Sequence, residues 1–101
     1  MTGPIYKFYR VRPTEAYYQL DPTARQALLA KIESIGQETG AKSILQCSSS
    51  WSNECWMVFG VEEFADLEAV KRHQDALEAV DWFRYIESET MLGLPINEQS
   101  G

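Results

Sequence analysis

The sequence is poor in the residues that most often bind metals. It contains one histidine, His73, and two cysteines, Cys47 and Cys55. Two thiols and one imidazole fall short of the four ligands that a structural zinc ion requires, so we expect no metal site. Free thiols are expected because disulfides are rare in reducing compartments. The alternative is a cross-strand disulfide, since Cys47 and Cys55 lie symmetrically about Trp51.

Long apolar runs and basic runs are also lacking. The first residues, MTGPIYKFYRVRP, have neither the charged start nor the apolar block of a signal peptide, and no other stretch is long enough to span a bilayer. The 15 acidic residues outnumber the 9 basic ones and give a net charge of −6, with no basic cluster to neutralise phosphates. We therefore expect a cytoplasmic protein that binds neither nucleic acid nor membranes.

The chain does have enough apolar side chains for one core. Hydrophobic residues make up 45% of its 101 residues, which suits a single domain of this length. We assign residues 1–95 to that domain. The remaining segment, 96–101, is polar, and we expect it to be a flexible tail.

The order of the predicted elements indicates an α+β fold. The first long helix starts at Asp21 and Pro22 and ends at Gly36 or Gly40. A second helix is predicted over 64–80, and a short helical turn over 13–20. Segments rich in β-branched and aromatic residues predict strands over 5–11, 42–49, 55–61 and 85–92. The order βαββαβ is that of a ferredoxin-like fold, with both helices on one face of a four-stranded antiparallel sheet.

Both faces of this sheet are too apolar for an exposed surface. The first strand places Tyr6 and Phe8 on one face, and Ile5, Tyr9 and Val11 on the other. The third strand is expected to place Trp56 and Val58 on one face and Cys55, Met57, Phe59 and Val61 on the other. A water-exposed face would alternate with polar residues. We therefore predict a homodimer in which two sheets cover each other.

Three segments carry a resemblance to a known family. They are RPTEAYYQLDPTARQALLAKI, WSNECWMVFGVEEFADLEAV and WFRYIESETMLGLP. These segments resemble the dimeric α+β barrel superfamily and, within it, the darcynin-like proteins. The superfamily includes cofactor-free quinol and polyketide monooxygenases, haem-binding and haem-degrading proteins, and small proteins without known chemistry. The resemblance implies the fold, but a fold hosts many functions and does not choose among them.

His73 lies at the centre of the apolar face of the second helix. At about 100° per residue, it shares that face with Ala69, Val70, Ala76, Leu77 and Val80. One interpretation is a core or dimer-interface histidine that hydrogen bonds to a backbone carbonyl or a tyrosine. The other is a functional histidine, either a general base in a cavity or, as the superfamily resemblance implies, an axial haem ligand.

The remaining candidates are large or charged side chains. Trp51 and Trp56 either fill the core and the interface or stack on a flat aromatic ligand. Arg10 and Tyr6 lie on the same strand face and are candidate binding residues. Arg10 either binds a carboxylate or enolate or is simply solvated. Glu87 and Glu89 are surface carboxylates or pair with Lys7 or Arg10 across the sheet.

Three functional hypotheses follow from these residues. The first is an uncharacterised dimeric barrel that binds a small apolar or aromatic molecule, with no cofactor and no assured catalysis. The second is a cofactor-independent, monooxygenase-like enzyme with His73 as base and Arg10 as anion holder. The third is a haem-binding protein that uses His73.

Overall fold

Four strands and four helices follow one another in residues 3–96, the part of the chain that the computed structural model describes. The strands are β1 (Ile5–Pro13), β2 (Lys42–Ser48), β3 (Val58–Phe64) and β4 (Ile86–Gly93). The helices are α1 (Glu15–Tyr18), α2 (Pro22–Thr39), α3 (Leu67–Ala79) and α4 (Trp82–Tyr85). The predicted order βαββαβ is confirmed, with the short helices α1 and α4 added. Residues 97–101 of the predicted tail lie outside the described residues.

The strands form one antiparallel sheet in the order β2-β3-β1-β4. The two central strands are therefore β1 and β3, as in a ferredoxin-like fold. A β-bulge shifts the β2–β3 register between Ser43 and Leu45, so that Ile44 has no partner on β3. The sheet thus places the middle of β1 between two neighbours.

Helix α2 begins and ends where its sequence predicts. The Asp21 carboxylate accepts a hydrogen bond from the Ala24 N–H at 2.8 Å, and Pro22 occupies the first turn. The helix ends at Gly40, which adopts a left-handed φ of 76°. Its buried side chains are Leu28 and Ile35, which lie seven residues apart on one face of the helix.

Helix α3 begins later than predicted. Its N-cap is Asp66, whose carboxylate accepts from the Ala69 N–H at 2.8 Å. The prediction that this helix starts at residue 64 was wrong, because Phe64 is the last residue of β3 and is fully buried. The face that α3 buries consists of Ala69, His73 and Leu77, at the predicted helical spacing.

The β2–β3 connection is longer than predicted. Asn53 accepts hydrogen bonds from the N–H groups of Cys55 and Trp56, at 2.7 and 2.8 Å. These bonds hold both residues in the loop, so β3 starts at Val58 and not at residue 55. Cys47 instead lies opposite Phe59, and both cysteines are free. The alternative prediction, that Cys47 and Cys55 lie opposite each other in a hairpin and form a disulfide, was therefore wrong.

The two faces of the sheet differ in their cover. Lys7, Tyr9 and Val11 face the helices, together with Val58 and Glu62. The other face carries no helix, and we call it the helix-free face. One row of apolar residues crosses all four strands on it, consisting of Leu45, Val61, Phe8 and Met91. No helix in residues 3–96 is long and apolar enough to cross a membrane.

Candidate functional site

A cavity of about 760 Å³ lies between the sheet and the helices. Strands β1 and β3 contribute polar side chains to its wall, and α3 contributes His73. The apolar part of the wall includes Ile32 from α2, Leu77 from α3 and Trp82 from α4. The polar part of the wall includes Lys7, Tyr9, Gln46, Glu62 and His73. An apolar chamber with a few polar groups is the usual form of a small-molecule site.

Lys7 and Glu62 are two charged residues on the floor of this cavity. They lie directly opposite each other in the β1–β3 register, and Lys7 is only 8% exposed. Burial lowers the pKa of Lys7, and the negative charge of Glu62 only partly offsets this. Burial likewise raises the pKa of Glu62, against the opposing effect of Lys7. Both groups are therefore shifted towards their uncharged forms.

This pair does not form a close ion pair. The salt bridges within residues 3–96 join Arg10 to Glu89, Arg12 to Glu87 and Arg84 to Asp81, and none of them includes Lys7. A buried ammonium without a close counter-ion loses hydration that is only partly replaced. Lys7 is consequently a buried amine with unused hydrogen-bonding capacity beside a cavity.

His73 contributes a buried imidazole to the same cavity. It is 5% exposed, and its ring packs on Phe64 with the ring centroids 5.3 Å apart. Its Nδ1 atom is buried and has no hydrogen-bond partner within the described residues. Burial, followed by the positive charge of Lys7, lowers the pKa of His73 to about 4. The imidazole is therefore neutral at pH 7, and the carbonyl or tyrosine partner expected for a core histidine is not bonded to Nδ1.

Tyr9 and Gly60 are matched across the two central strands. Tyr9 lies opposite Gly60, and a Cβ atom at Gly60 would be 2.5 Å from the Tyr9 hydroxyl oxygen and 2.8 Å from the Leu45 carbonyl oxygen. Only glycine leaves room for the phenol at this position. Burial raises the pKa of Tyr9, and Glu62 raises it further, whereas a hydrogen bond with Gln46 opposes the shift. Tyr9 is thus a neutral phenol in the cavity wall.

Arg10 lies on the helix-free face, away from His73. Its guanidinium donates a hydrogen bond to the Glu89 carboxylate at 2.7 Å and lies 4.4 Å from the centre of the Trp56 ring. The predicted pairing of Glu89 with Arg10 is confirmed, while Glu87 pairs with Arg12. Trp56 therefore shares the face of Arg10, and its predicted alignment with Val58, which faces the cavity, was wrong.

The other two predicted binding residues are also outside the cavity wall. The Tyr6 hydroxyl donates to the Glu63 carboxylate at 2.7 Å, across the β1–β3 pair. Trp51 is 84% exposed in the β2–β3 loop, and its indole N–H donates to the Ser48 carbonyl at 2.9 Å. The structure therefore brings Tyr6, Arg10 and Trp56 to the helix-free face and places only His73 in the cavity.

The predicted site residues did not include the polar cavity residues Lys7, Tyr9, Gln46 and Glu62. The alternation of β1 already places Lys7 on the same face as Ile5, Tyr9 and Val11, and a lysine among apolar residues is the signal that could have marked it. Glu62 lies opposite Lys7 because of the β1–β3 register, which sequence alone does not specify. No group of three or more His, Cys, Asp or Glu side chains suited to a metal occurs in residues 3–96.

Comparison with known proteins supports the fold. No protein-family model matches the chain, and no match was found among curated proteins. A solved structure from Bacteroides fragilis NCTC 9343, described as a dimeric protein of unknown function with a ferredoxin-like fold, is similar with a TM-score of 0.51 and 13% sequence identity. The match covers 90% of this chain and 95% of that one. The chain therefore has a ferredoxin-like fold.

Proposed function

We propose that this protein is a homodimeric α+β barrel that binds a small apolar or aromatic molecule in the cavity between its sheet and helices. The observation that carries the proposal is His73, a neutral imidazole with a buried, unpartnered Nδ1 in the wall of a cavity of about 760 Å³. Sites for small molecules have volumes of roughly 300–1,000 Å³ and a few polar groups in an apolar wall. The cavity has a volume in this range, and its wall combines apolar side chains with polar ones.

The unpartnered nitrogen supports a ligand with one polar group. Leaving a buried polar atom without a hydrogen bond costs about 1–3 kcal/mol. A ligand that carries a hydroxyl, amine or carbonyl group at one end would supply the missing bond. Its apolar body would contact Ile32, Leu77 and Trp82. A ligand of this kind would therefore offset the cost of the unpaired nitrogen.

The helix-free face supports the homodimer. Its row of Leu45, Val61, Phe8 and Met91 crosses the whole sheet, and Met91 is 66% exposed in the single chain. The arginines on this face, Arg10 and Arg12, already pair with carboxylates of the same chain, so a second copy could cover it without leaving these charges unpaired. The similar Bacteroides fragilis protein is dimeric. Together with the resemblance to darcynin-like proteins, these features favour the dimeric α+β barrel.

The enzymatic alternative has less support. His73 is uncharged at pH 7, as a base must be, but a pKa of about 4 makes it a weak base. Arg10, the proposed anion holder, lies on the opposite face of the sheet. The two residues of the predicted catalytic pair thus belong to different surfaces, which favours binding without catalysis.

The haem alternative fits the surroundings of His73 poorly. Burial, and then the positive charge of Lys7, lower the pKa of this imidazole, which means that added positive charge at the ring is disfavoured. Ferric haem, whose iron leaves one net positive charge on the porphyrin, would add such charge. We therefore expect the purified protein to show no Soret band, and a band that disappears in His73→Ala would favour the haem alternative.

Binding can be tested with the neutral dye N-phenyl-1-naphthylamine, whose fluorescence rises in apolar surroundings. We expect a saturable rise with the wild-type protein. Ile32→Trp should weaken it because the larger indole would occupy part of the cavity. The matched control, Ala30→Trp, adds the same ring at an exposed position of the same helix and should bind normally. An absent signal, or an equal loss in both variants, would refute the proposed cavity.

A further inference from the structure

We propose that Lys7 is a nucleophilic amine that forms an imine with an aldehyde or ketone bound in the cavity. This inference rests on the proposed binding of a small molecule there and names the class of that molecule. It goes beyond a passive pocket because it assigns a covalent step to one residue.

Lys7 differs from every other lysine in its placement. The remaining three, Lys31, Lys42 and Lys71, are all exposed, whereas Lys7 is 8% exposed in the central strand β1. Strand alternation directs Lys7 towards the helices, where it lines the cavity beside His73 and Glu62. Lys7 is therefore the one lysine whose amine can contact a molecule bound in this cavity.

The surroundings of Lys7 favour the uncharged amine. Only an amine that has lost its proton has the lone pair needed to attack a carbonyl carbon, and buried lysines lose it more readily. Burial lowers the pKa of Lys7 more than Glu62 raises it. The salt bridges found in residues 3–96 do not include this ammonium, so no tight ion pair has to be broken before the amine can react.

Imine formation by Lys7 requires two bond changes and the transfer of several protons. The Nζ lone pair attacks the carbonyl carbon, and the carbonyl π electrons become an oxygen lone pair. After a proton passes from nitrogen to oxygen, the product is a carbinolamine. Its hydroxyl leaves as water with a further proton, while nitrogen loses its last proton and forms the C=N bond. The overall change is amine plus carbonyl compound to imine plus water, with no oxidant or reductant.

Glu62 is the candidate donor of the proton that leaves with water. It lies opposite Lys7 on β3, and burial raises its pKa, which makes a protonated carboxyl more accessible near neutral pH. The neutral imidazole of His73 also lines the cavity and adds a polar side chain to the wall around Lys7. The apolar walls at Ile32, Leu77 and Trp82 select a carbonyl compound with an aromatic or aliphatic body.

The test is reductive trapping with 2-naphthaldehyde and sodium cyanoborohydride at pH 7, followed by intact mass measurement and peptide mapping. We expect one naphthylmethyl group per chain, with Lys7 labelled faster than Lys31, Lys42 or Lys71, because Lys7 alone lines the cavity and burial lowers its pKa. Lys71→Met should label normally, and Lys7→Met should lose the fast adduct.

Displacement of N-phenyl-1-naphthylamine by 2-naphthalenemethanol separates this inference from the proposed function. The alcohol has the same aromatic body but no carbonyl group. If the alcohol displaces the dye while Lys7 of the wild-type protein stays unlabelled, the imine inference is wrong and the binding function stands. If neither compound binds, both are wrong. Labelling spread evenly over the exposed lysines or confined to the α-amino group would also overturn the assignment, whether or not Lys7→Met folds.

Discussion

His73 occupies a position where a hydrophobic side chain would pack without a polar penalty. It is the middle residue of the buried face of α3, between Ala69 and Leu77, and its ring packs on Phe64. Its buried Nδ1 lacks a partner among the described residues, and such an atom costs stability. The proposed ligand site would give this imidazole a role other than packing.

The stability of the protein should depend on the protonation of His73. The folded-state pKa of about 4 lies below the ordinary value of 6.5, so the unfolded chain binds this proton more tightly. The resulting stability is present above pH 6.5 and is lost as the pH falls to about 4. Between pH 6.5 and about 4, we expect the free energy of unfolding of the wild type to fall by on the order of 2–3 kcal/mol more than that of His73→Leu. Urea denaturation at each pH measures both values.

His73→Leu also separates a structural role from a ligand-binding role at neutral pH. We expect this variant to be as stable as the wild type or about 1 kcal/mol more stable, because it removes an unpaired polar atom. Its affinity for the naphthylamine dye should fall. A variant that loses stability, binds the dye normally and keeps the wild-type pH profile would identify His73 as a core residue.

At the level of the elements, the cavity depends on one close approach between β1 and β3. Tyr9 lies over Gly60, and the β2 backbone at Leu45 closes the space from the other side. Gly36 lines the same cavity from α2, but a Cβ atom there would meet only the Ala41 side chain, at 4.0 Å. Close packing therefore requires glycine at position 60 but leaves room for a side chain at position 36.

Alanine at these two glycines should have opposite effects. Gly60→Ala should destabilise the fold by about 1–3 kcal/mol, because the Leu45 carbonyl and the half-buried Tyr9 ring must both move. Gly36→Ala should stabilise it by roughly 0.5–1 kcal/mol through helix propensity. Urea denaturation midpoints measure both changes. Equal stability of the two variants would show that Tyr9 does not need the space above Gly60.

At the scale of the whole molecule, the sheet separates two surfaces. The helix-facing side lines the cavity that contains Lys7, Glu62 and His73. The helix-free face carries the apolar row of Leu45, Val61, Phe8 and Met91. The proposed dimer uses the second surface and leaves the first one for a ligand, so assembly and binding should be separable by mutation.

A charge in the apolar row should break the proposed dimer. Met91→Lys places an ammonium where the second sheet would pack, and we expect sedimentation velocity to show a monomer at micromolar concentration. Met91 is exposed in the single chain, so the fold should survive. Leu67→Lys is the matched control, because Leu67 is also exposed but lies at the start of α3. A wild-type monomer would contradict the dimer itself.

The amino-acid sequence alone determined the order of the elements and several of their ends. Asp21, Pro22 and Gly40 mark α2 through local hydrogen bonding and backbone preference, which do not depend on distant residues. The helical spacing of Ala69, His73 and Leu77 likewise identified the buried face of α3. The apolar character of both sheet faces was visible from strand alternation.

Only the tertiary structure decided which residues share a site. Cross-strand register places Glu62 opposite Lys7 and Gly60 opposite Tyr9, and register depends on contacts between residues far apart in the chain. The long loop bonded to Asn53 displaced the start of β3 and moved Trp56 to the side of Arg10. Sequence periodicity could assign Arg10 and His73 to faces of their own elements. Whether those faces meet depends on which side of the sheet the helices cover.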